Sequence, residues 1–314
     1  MPVDLDGVAG LRAAALASCP LFYDHPGARE KIREGLERCT ERIVFVHEDR
    51  PRAFIGWYHE DEAWCGTPLQ SVFIELAPGD QPALEWTRRM IRDVARDLGP
   101  DTELQLSPGL AELVPDLLAA GLGIEAVILV GRPVDALRRL NSRPAPPRDL
   151  ARHGLTVEPL GAEHVAAVVD LWRWTFNAEP QHCWFGTSPG YLARFEQGLL
   201  LAAGGEVAGA QLVALESNGA VVGYFETDVE YQPYWGVAAG MSLVLDERYR
   251  GRGIASTAYR LLLEAQVELD VDVFKGGTSR PSVMALGTRM GRELAGIMFG
   301  RRALFGPEHF EEWV

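Results

Sequence analysis

The chain has 314 residues, 47% of them hydrophobic and 24% charged, and a formal net charge of −14 at pH 7. That length suits two domains and that apolar fraction a packed core. The acidic balance argues against a nucleic-acid partner, which needs a basic footprint, and it suits a cationic or amine-bearing small substrate.

The N-terminus, MPVDLDGVAG, lacks a basic region followed by an apolar one and does not read as a signal peptide. No run of about 18 apolar residues predicts a membrane span. Cys19, Cys39, Cys65 and Cys183 form no CxxC pair, and the histidines lack metal-ligand spacing. The expectation is reduced thiols, no metal site and a cytoplasmic protein.

Segments 42–60, RIVFVHEDRPRAFIGWYHE, and 69–76, LQSVFIEL, predict a hairpin and a following strand. Residues 83–98 carry a helical pattern and residues 102–107 a strand. Residues 109–122 predict a second helix and 124–133 a last strand. Residues 141–154, NSRPAPPRDLARHG, hold three prolines and no apolar period, so they read as a linker. The expected domains are residues 1–141 and 154–314, joined by 142–153.

The second half repeats this plan. A strand at 155–160 precedes a helix with Val165, Val168, Val169, Leu171, Trp172 and Phe176 at helical spacing. Asn218-Gly219 sits between two apolar runs, a strong hairpin signal. GMSLVL, ending at Leu245, is a strand. A helix follows with Ile254, Ala258, Leu261, Leu262, Ala265 and Leu269 on one face. A strand at 271–277, a helix at 281–291 and a strand at 294–300 close the chain. Leu76 and Leu245 end matching strands, and so do Gly131 and Gly300. Both pairs differ by 169, which supports an internal duplication.

Between the strand and helix of the second half lies DERYRGRGIAST, residues 246–257. The first amides of a helix lack intrahelical acceptors, and the helix dipole is positive there. Gly251 and Gly253 leave room for an oxyanion, and Arg248, Arg250 and Arg252 surround the turn, as in a phosphate cradle. A P-loop needs a GK[ST] ending, and a dinucleotide fingerprint needs a third glycine; neither is present.

RGRGIA, through Arg250, Gly253 and Ala255, matches the R/Q-x-x-G-x-G/A motif. On this motif and the order of its elements the second half resembles the GNAT superfamily of acyl-CoA-dependent N-acyltransferases. The resemblance implies an α/β fold of two tandem GNAT-like domains, each a mixed, mostly antiparallel twisted sheet flanked by helices. It implies acetyl-CoA, or another acyl-CoA, as donor. The amides of Gly251, Arg252, Gly253, Ile254, Ala255 and Ser256, with Arg250, would hold the pyrophosphate. The backbone of Leu243, Val244 and Leu245 would pair with the pantetheine arm. In the family pattern N-x-x-A-x-x-x-Y-x-x-x-G, Arg280 falls on the asparagine and Gly287 on the tyrosine that serves the leaving thiolate; only Gly291 matches. Arg280 is then a candidate contact to the CoA phosphates.

In the first half the same offset puts Gln81, Leu84 and Trp86 at the motif positions. Leu84 and Trp86 are expected to fill the phosphate space, with Asp80 adding repulsion, so the first half reads as a copy without the cofactor site.

Acyl transfer to an amine needs a base for the nitrogen and stabilisation of the leaving sulfur. Alternation places Tyr224, Glu226 and Asp228 on one face of their strand. Glu226 is the candidate base, and Tyr231 and Tyr234 are candidate acids. Trp172 and Phe176 are expected in the core, and His182, Cys183 and Trp184 around the acceptor. The resulting expectation is an N-acetyltransferase acting on a primary amine of a small molecule or peptide, as a monomer or homodimer, with no nucleic-acid or membrane partner. The alternatives are a non-catalytic acyl-CoA-binding protein and a domain for another nucleotide.

Overall fold

A computed structural model describes the chain except residues 1–2, 20, 23–25, 62–67, 143–149, 179–187, 233–234 and 302–314. The chain packs as two compact units. The first comprises residues 1–128, 277–279 and 294–314, and the second 129–276 and 280–293. Among the described residues no helix is long and apolar enough to cross a membrane.

The first unit begins with helices α1 (Leu5–Leu16) and α2 (Pro26–Glu37). Neither was expected from the sequence. In α1, buried Val8, Ala9, Leu11, Ala13, Ala15 and Leu16 spread around the helix and leave no clear apolar stripe to read. Strands β1 (Glu41–His47) and β2 (Arg50–Glu60) form the hairpin. Glu48 and Asp49 turn it with φ of 52° and 59°, so a left-handed two-residue turn forms without its usual Asn-Gly. Strand β3 (Leu69–Leu76) pairs antiparallel with β2 along its whole length.

Helix α3 (Gln81–Val94) leads to β4 (Thr102–Leu106), which is parallel to β3. The expected second helix is a 3-10 turn followed by a short α4 (Val114–Ala119). Strand β5 is Gly123–Gly131. The core lies between the sheet and α3–α4, around Ile55, Ile74, Leu104, Leu106, Leu117 and Phe299. Phe299 belongs to β12 (Glu293–Gly300), which pairs antiparallel with β4. Arg12 of α1 reaches buried Glu75 of β3 at 3.3 Å on the opposite face.

The second unit holds α5 (Pro133–Asn141), β6 (Leu155–Pro159), α6 (Val165–Ala178), α7 (Pro189–Ala203), β7 (Gly209–Glu216) and β8 (Val221–Gln232). These are followed by β9 (Gly236–Gly240), β10 (Ser242–Leu245), α8 (Ile254–Glu268), β11 (Val273–Thr278) and α9 (Pro281–Arg289). Strands β6, β7, β8 and β9 are antiparallel, and β9 is parallel to β11. One face packs on α6 and α7 through Val168, Trp172, Leu199, Val213 and Tyr224. The other packs on α8 through Ala214, Phe225, Ala258 and Leu262.

Strand β12 is written in the second copy of the sequence yet lies in the first unit. Helix α5 is written in the first copy yet packs on α8 in the second. The compact units therefore differ from the expected domains in where β12 and α5 pack. The 169-residue frame holds at its anchors, since β3 ends at Leu76, β10 at Leu245, β5 at Gly131 and β12 at Gly300.

One expectation in the first unit is corrected. Leu84 and Trp86 do not stand at the start of α3, because that helix begins at Gln81. Leu84 is buried in the core and Trp86 stacks on Phe45 at 5.7 Å. The helix N-terminus is closed by Asp80 instead. Its carboxylate accepts from the amide of Ala83 and pairs with the guanidinium of Arg52. Asp80→Ala should therefore cost about 1–2 kcal/mol in denaturant unfolding, with Asp80→Asn recovering part of the cap.

Candidate functional site

GMSLVL was expected as one strand, and it is two. Residues 229–232 of β8 pair with β9, and residues 223–226 pair with β10, in one register. Between them the ladder stops at Thr227 and Asp228 opposite Gly240 and Met241. β9 continues to β11, whereas β10 pairs with β8 alone. One edge of β10 therefore carries backbone groups without a strand partner.

Three buried polar groups hold this break. Thr227 Oγ1 donates to the carbonyl of Gly240 at 2.9 Å and accepts from Gln266 Nε2 of α8 at 2.8 Å. Thr227 and Gln266 are fully buried. The hydroxyl gives Gly240 a partner where the ladder supplies none, and α8 fixes the hydroxyl. A Cβ on Gly240 would lie 2.2 Å from Asp228 Oδ1, so a side chain there would displace the exposed Asp228 carboxylate. On α8 itself the buried face runs through Ile254, Ala258 and Leu262, with Thr257, Tyr259 and Leu263. Leu269, expected on that face, is exposed.

Past β10 the chain makes a 3-10 turn over Glu247–Tyr249 and enters α8. Gly251 and Gly253 have φ of 74° and 81°, which side chains rarely tolerate. Gly253 is the N-cap of α8, and among the described residues no side-chain cap hydrogen bond is made there. A Cβ on Gly251 would meet nothing within 4 Å, so the space beside the turn is open.

The arginines have more local duties than the sequence suggested. Arg248 bonds Asp246 at 2.8 Å and lies 3.4 Å from Glu216. Its hydrogen bonds hold the Asp246 carboxyl below its usual range. Arg250 Nε donates to the carbonyl of Leu245 at 3.1 Å, tying the turn to the end of β10. Arg252 is exposed, 5.4 Å from the ring centroid of Tyr249.

On the α6–α7 face, Tyr224 and Glu226 stand two residues apart on β8 with Ser242 across the ladder. The Tyr224 hydroxyl and Ser242 both bond the Glu226 carboxylate. Burial nevertheless pushes the Glu226 carboxyl above its usual range, and the charge of Asp228 adds to this. Tyr231 is 55% exposed. It lies five residues along β8, on the side of Phe225 and Thr227, so it is not brought to Glu226. Arg280 is the N-cap of α9. Gly287 is buried, and a Cβ there would lie 2.8 Å from Leu129 Cδ1, so the position expected to carry a tyrosine is filled by packing. Trp172 is buried and its ring lies 4.6 Å from that of Phe176, as expected of core residues. His182, Cys183, Trp184 and Tyr234 lie outside the described residues.

Sequence reasoning missed α7 and the Thr227–Gln266 pair. The spacing of Tyr191, Leu192, Phe195 and Leu199 is helical and was available; the aromatic content drew the reading toward a cleft. A hydroxyl that bonds a strand from the far side of a helix leaves no local signal.

Residues 165–274 match the acetyltransferase (GNAT) family model. Three solved structures have a similar fold. A GCN5-related N-acetyltransferase from Sphaerobacter thermophilus is 16% identical with a TM-score of 0.54, covering 95% of this chain and 93% of its own. A tandem GNAT protein from the clavulanic acid biosynthesis pathway is 16% identical with a TM-score of 0.50, covering 95% and 96%. A glucosamine N-acetyltransferase region of a fungal multi-domain β-N-acetylglucosaminidase is 14% identical with a TM-score of 0.55, covering 95% and 36%. A search of curated proteins returned no match. The second half thus contains a GNAT acetyltransferase domain, which makes the chain an acyltransferase by class, and the fold is that of two tandem GNAT-like domains.

Thr227→Val keeps the shape of the side chain and removes its hydroxyl. It should lower unfolding stability by about 1–3 kcal/mol, because Gln266 and the Gly240 carbonyl each lose a buried partner. Thr227→Ser should restore most of this in the same denaturant titration.

Proposed function

We propose that the protein transfers an acetyl group from acetyl-CoA to a primary amine of a small molecule or peptide, at one site in the second half. The observation that carries this reading is the start of α8. Its amides have no side-chain cap, they follow two left-handed glycines, and they lie within the segment that matches the family model. Open space at Gly251 and the one-sided pairing of β10 fit a pyrophosphate and an extended pantetheine arm.

In this reading the amides of Gly251, Arg252, Gly253, Ile254, Ala255 and Ser256 bind the pyrophosphate. Exposed Arg252 adds positive charge, and Arg250 positions the end of β10. Arg280 contributes to the phosphates from the N-cap of α9. The backbone of Leu243, Val244 and Leu245 takes the pantetheine arm. Residues 1–141 are the copy without a cofactor site, since Asp80 already occupies the corresponding helix terminus with a carboxylate. Residues 154–314 are the working copy.

Glu226 acts as base. The amine nitrogen attacks the thioester carbon, the C–N bond forms as the C–S bond breaks and CoA leaves as the thiolate, and the surplus proton on nitrogen passes to the Glu226 carboxylate. Tyr224 and Ser242 hold that carboxylate in place. Glu226, Asp228 and Glu230 share one face of β8 and would draw an ammonium toward the site. We place the reaction in the cytoplasm, a setting that suits the thiol of buried Cys39. The filled position at Gly287 favours a second reading, a protein that binds acyl-CoA without turning it over.

Thiol release from acetyl-CoA across a panel of polyamines, aminoglycosides, amino acids and peptides separates the two. The enzyme reading predicts amine-dependent release. Binding of acetyl-CoA with no release above background supports the second reading. With an active amine in hand, kcat/KM should rise with pH through a group above the usual carboxylate range. The sign follows from a base that works only when deprotonated and whose pKa is raised by burial. Glu226→Gln should remove that limb and lower kcat by about 10²- to 10⁴-fold.

A further inference from the structure

Arg292 directly precedes β12 and is 7% exposed. Its Nη2 donates to the carbonyls of Leu129 at 2.5 Å and Gly276 at 3.0 Å. Its guanidinium lies 5.1 Å from the ring centroid of Phe274 and bonds the hydroxyl of Tyr259 on α8. All of these partners are neutral. Among the described residues no carboxylate lies within ion-pair distance of Arg292.

Removing a guanidinium from water costs several kcal/mol unless an opposite charge meets it. The buried Arg260 differs, because it donates to Leu140 in the last turn of α5, where the helix dipole is negative. Arg292 has no helix end among the acceptors of its guanidinium. A buried cation with only neutral acceptors is suited to an anion that arrives during function.

Its place in the fold says which anion. A Cβ on Gly276 would lie 3.1 Å from Arg292 Nη2 and 3.4 Å from the carbonyl oxygen of Met241. Met241 is the residue at which β9 gives way to β10. The guanidinium therefore sits at the head of the gap that opens between β10 and β11. Gly287 makes room for it, since a Cβ there would lie 3.6 Å from Arg292 Cδ. The missing tyrosine and the buried arginine thus occupy one neighbourhood.

We propose that Arg292, with the Tyr259 hydroxyl held against it, takes up the negative charge of the departing CoA thiolate. The inference rests on the acyl-CoA reading of the site. As the C–N bond forms, the C–S bond breaks and its electron pair goes to sulfur. The Tyr259 O–H donates a hydrogen bond to that sulfur and Arg292 offsets its charge, so CoA leaves as the thiolate and takes its proton from water. Burial favours the protonated hydroxyl of Tyr259 before the step, which suits a donor.

The test is the ionisation of bound CoA, followed by thiolate absorbance against pH, with desulfo-CoA as a probe of binding alone. The bound thiol should ionise at least about one pH unit below free CoA. Arg292→Met should abolish that shift and Tyr259→Phe should reduce it. Desulfo-CoA affinity should stay within about threefold in both variants, because the phosphates bind elsewhere. If Arg292→Met does not fold, Tyr259→Phe, which keeps the ring, decides the matter. An unshifted thiol in the wild type, or a shift untouched by Tyr259→Phe, overturns the proposal and leaves the acyl-CoA reading standing. Failure of both CoA and desulfo-CoA to bind overturns the two together.

Discussion

The start of a helix presents amides that the helix cannot satisfy, and something must accept from them. The two copies in this chain meet that demand differently. In the first, Asp80 turns its carboxylate back onto Ala83, with Arg52 behind it. In the second, Gly253 offers no side chain and a left-handed φ, and no side-chain cap hydrogen bond closes the start of α8. One terminus contains its own anion, and the other is the one we propose receives the pyrophosphate. Nearly everything assigned to the second half follows from that difference.

The same half bends its central strand. A continuous strand would bury both of its edges in sheet. Here β9 keeps its bond to β11, and β10 leans on β8 alone. The bend is held from α8 by Gln266 through Thr227, so the helix proposed to bind the phosphates also fixes the strand proposed to pair with the arm. Arg250 adds a second tie, from the turn to Leu245. These links make the turn, the strand and the helix one positioned unit. In the proposed reaction that rigidity matters because the thioester must meet an amine beside Glu226 within a fraction of an ångström.

The fold was legible where periodicity and turn chemistry agree. The Asn218-Gly219 hairpin, the strand–turn–helix at 240–265 and the 169-residue frame were all readable, and the strand ends fall where the frame put them. The Glu48–Asp49 turn was not, because its residues give no left-handed signal. Helix α1 was missed because its small apolar residues face inward all round. The site was half legible. The glycines and the motif spacing pointed to the turn now proposed as the anion cradle, and alternation placed Glu226 beside Tyr224. The tasks of Arg248 and Arg250 were hidden, because a sequence counts charges without showing which carboxylate or carbonyl each one meets. Tyr231, a candidate acid, falls on the face of β8 opposite Glu226, as an odd spacing along a strand requires.

The central claim is that one acyl-CoA site exists and that the uncapped start of α8 forms it. Calorimetric titration of acetyl-CoA into the wild type and into Ser256→Glu tests this most directly. The substitution supplies the second copy with the kind of carboxylate that closes the first. Glutamate in the first turn suits the helix dipole, so the fold should persist. The account predicts one acetyl-CoA per chain in the wild type and its loss in Ser256→Glu. Two per chain, or binding unchanged by the added carboxylate, would contradict it.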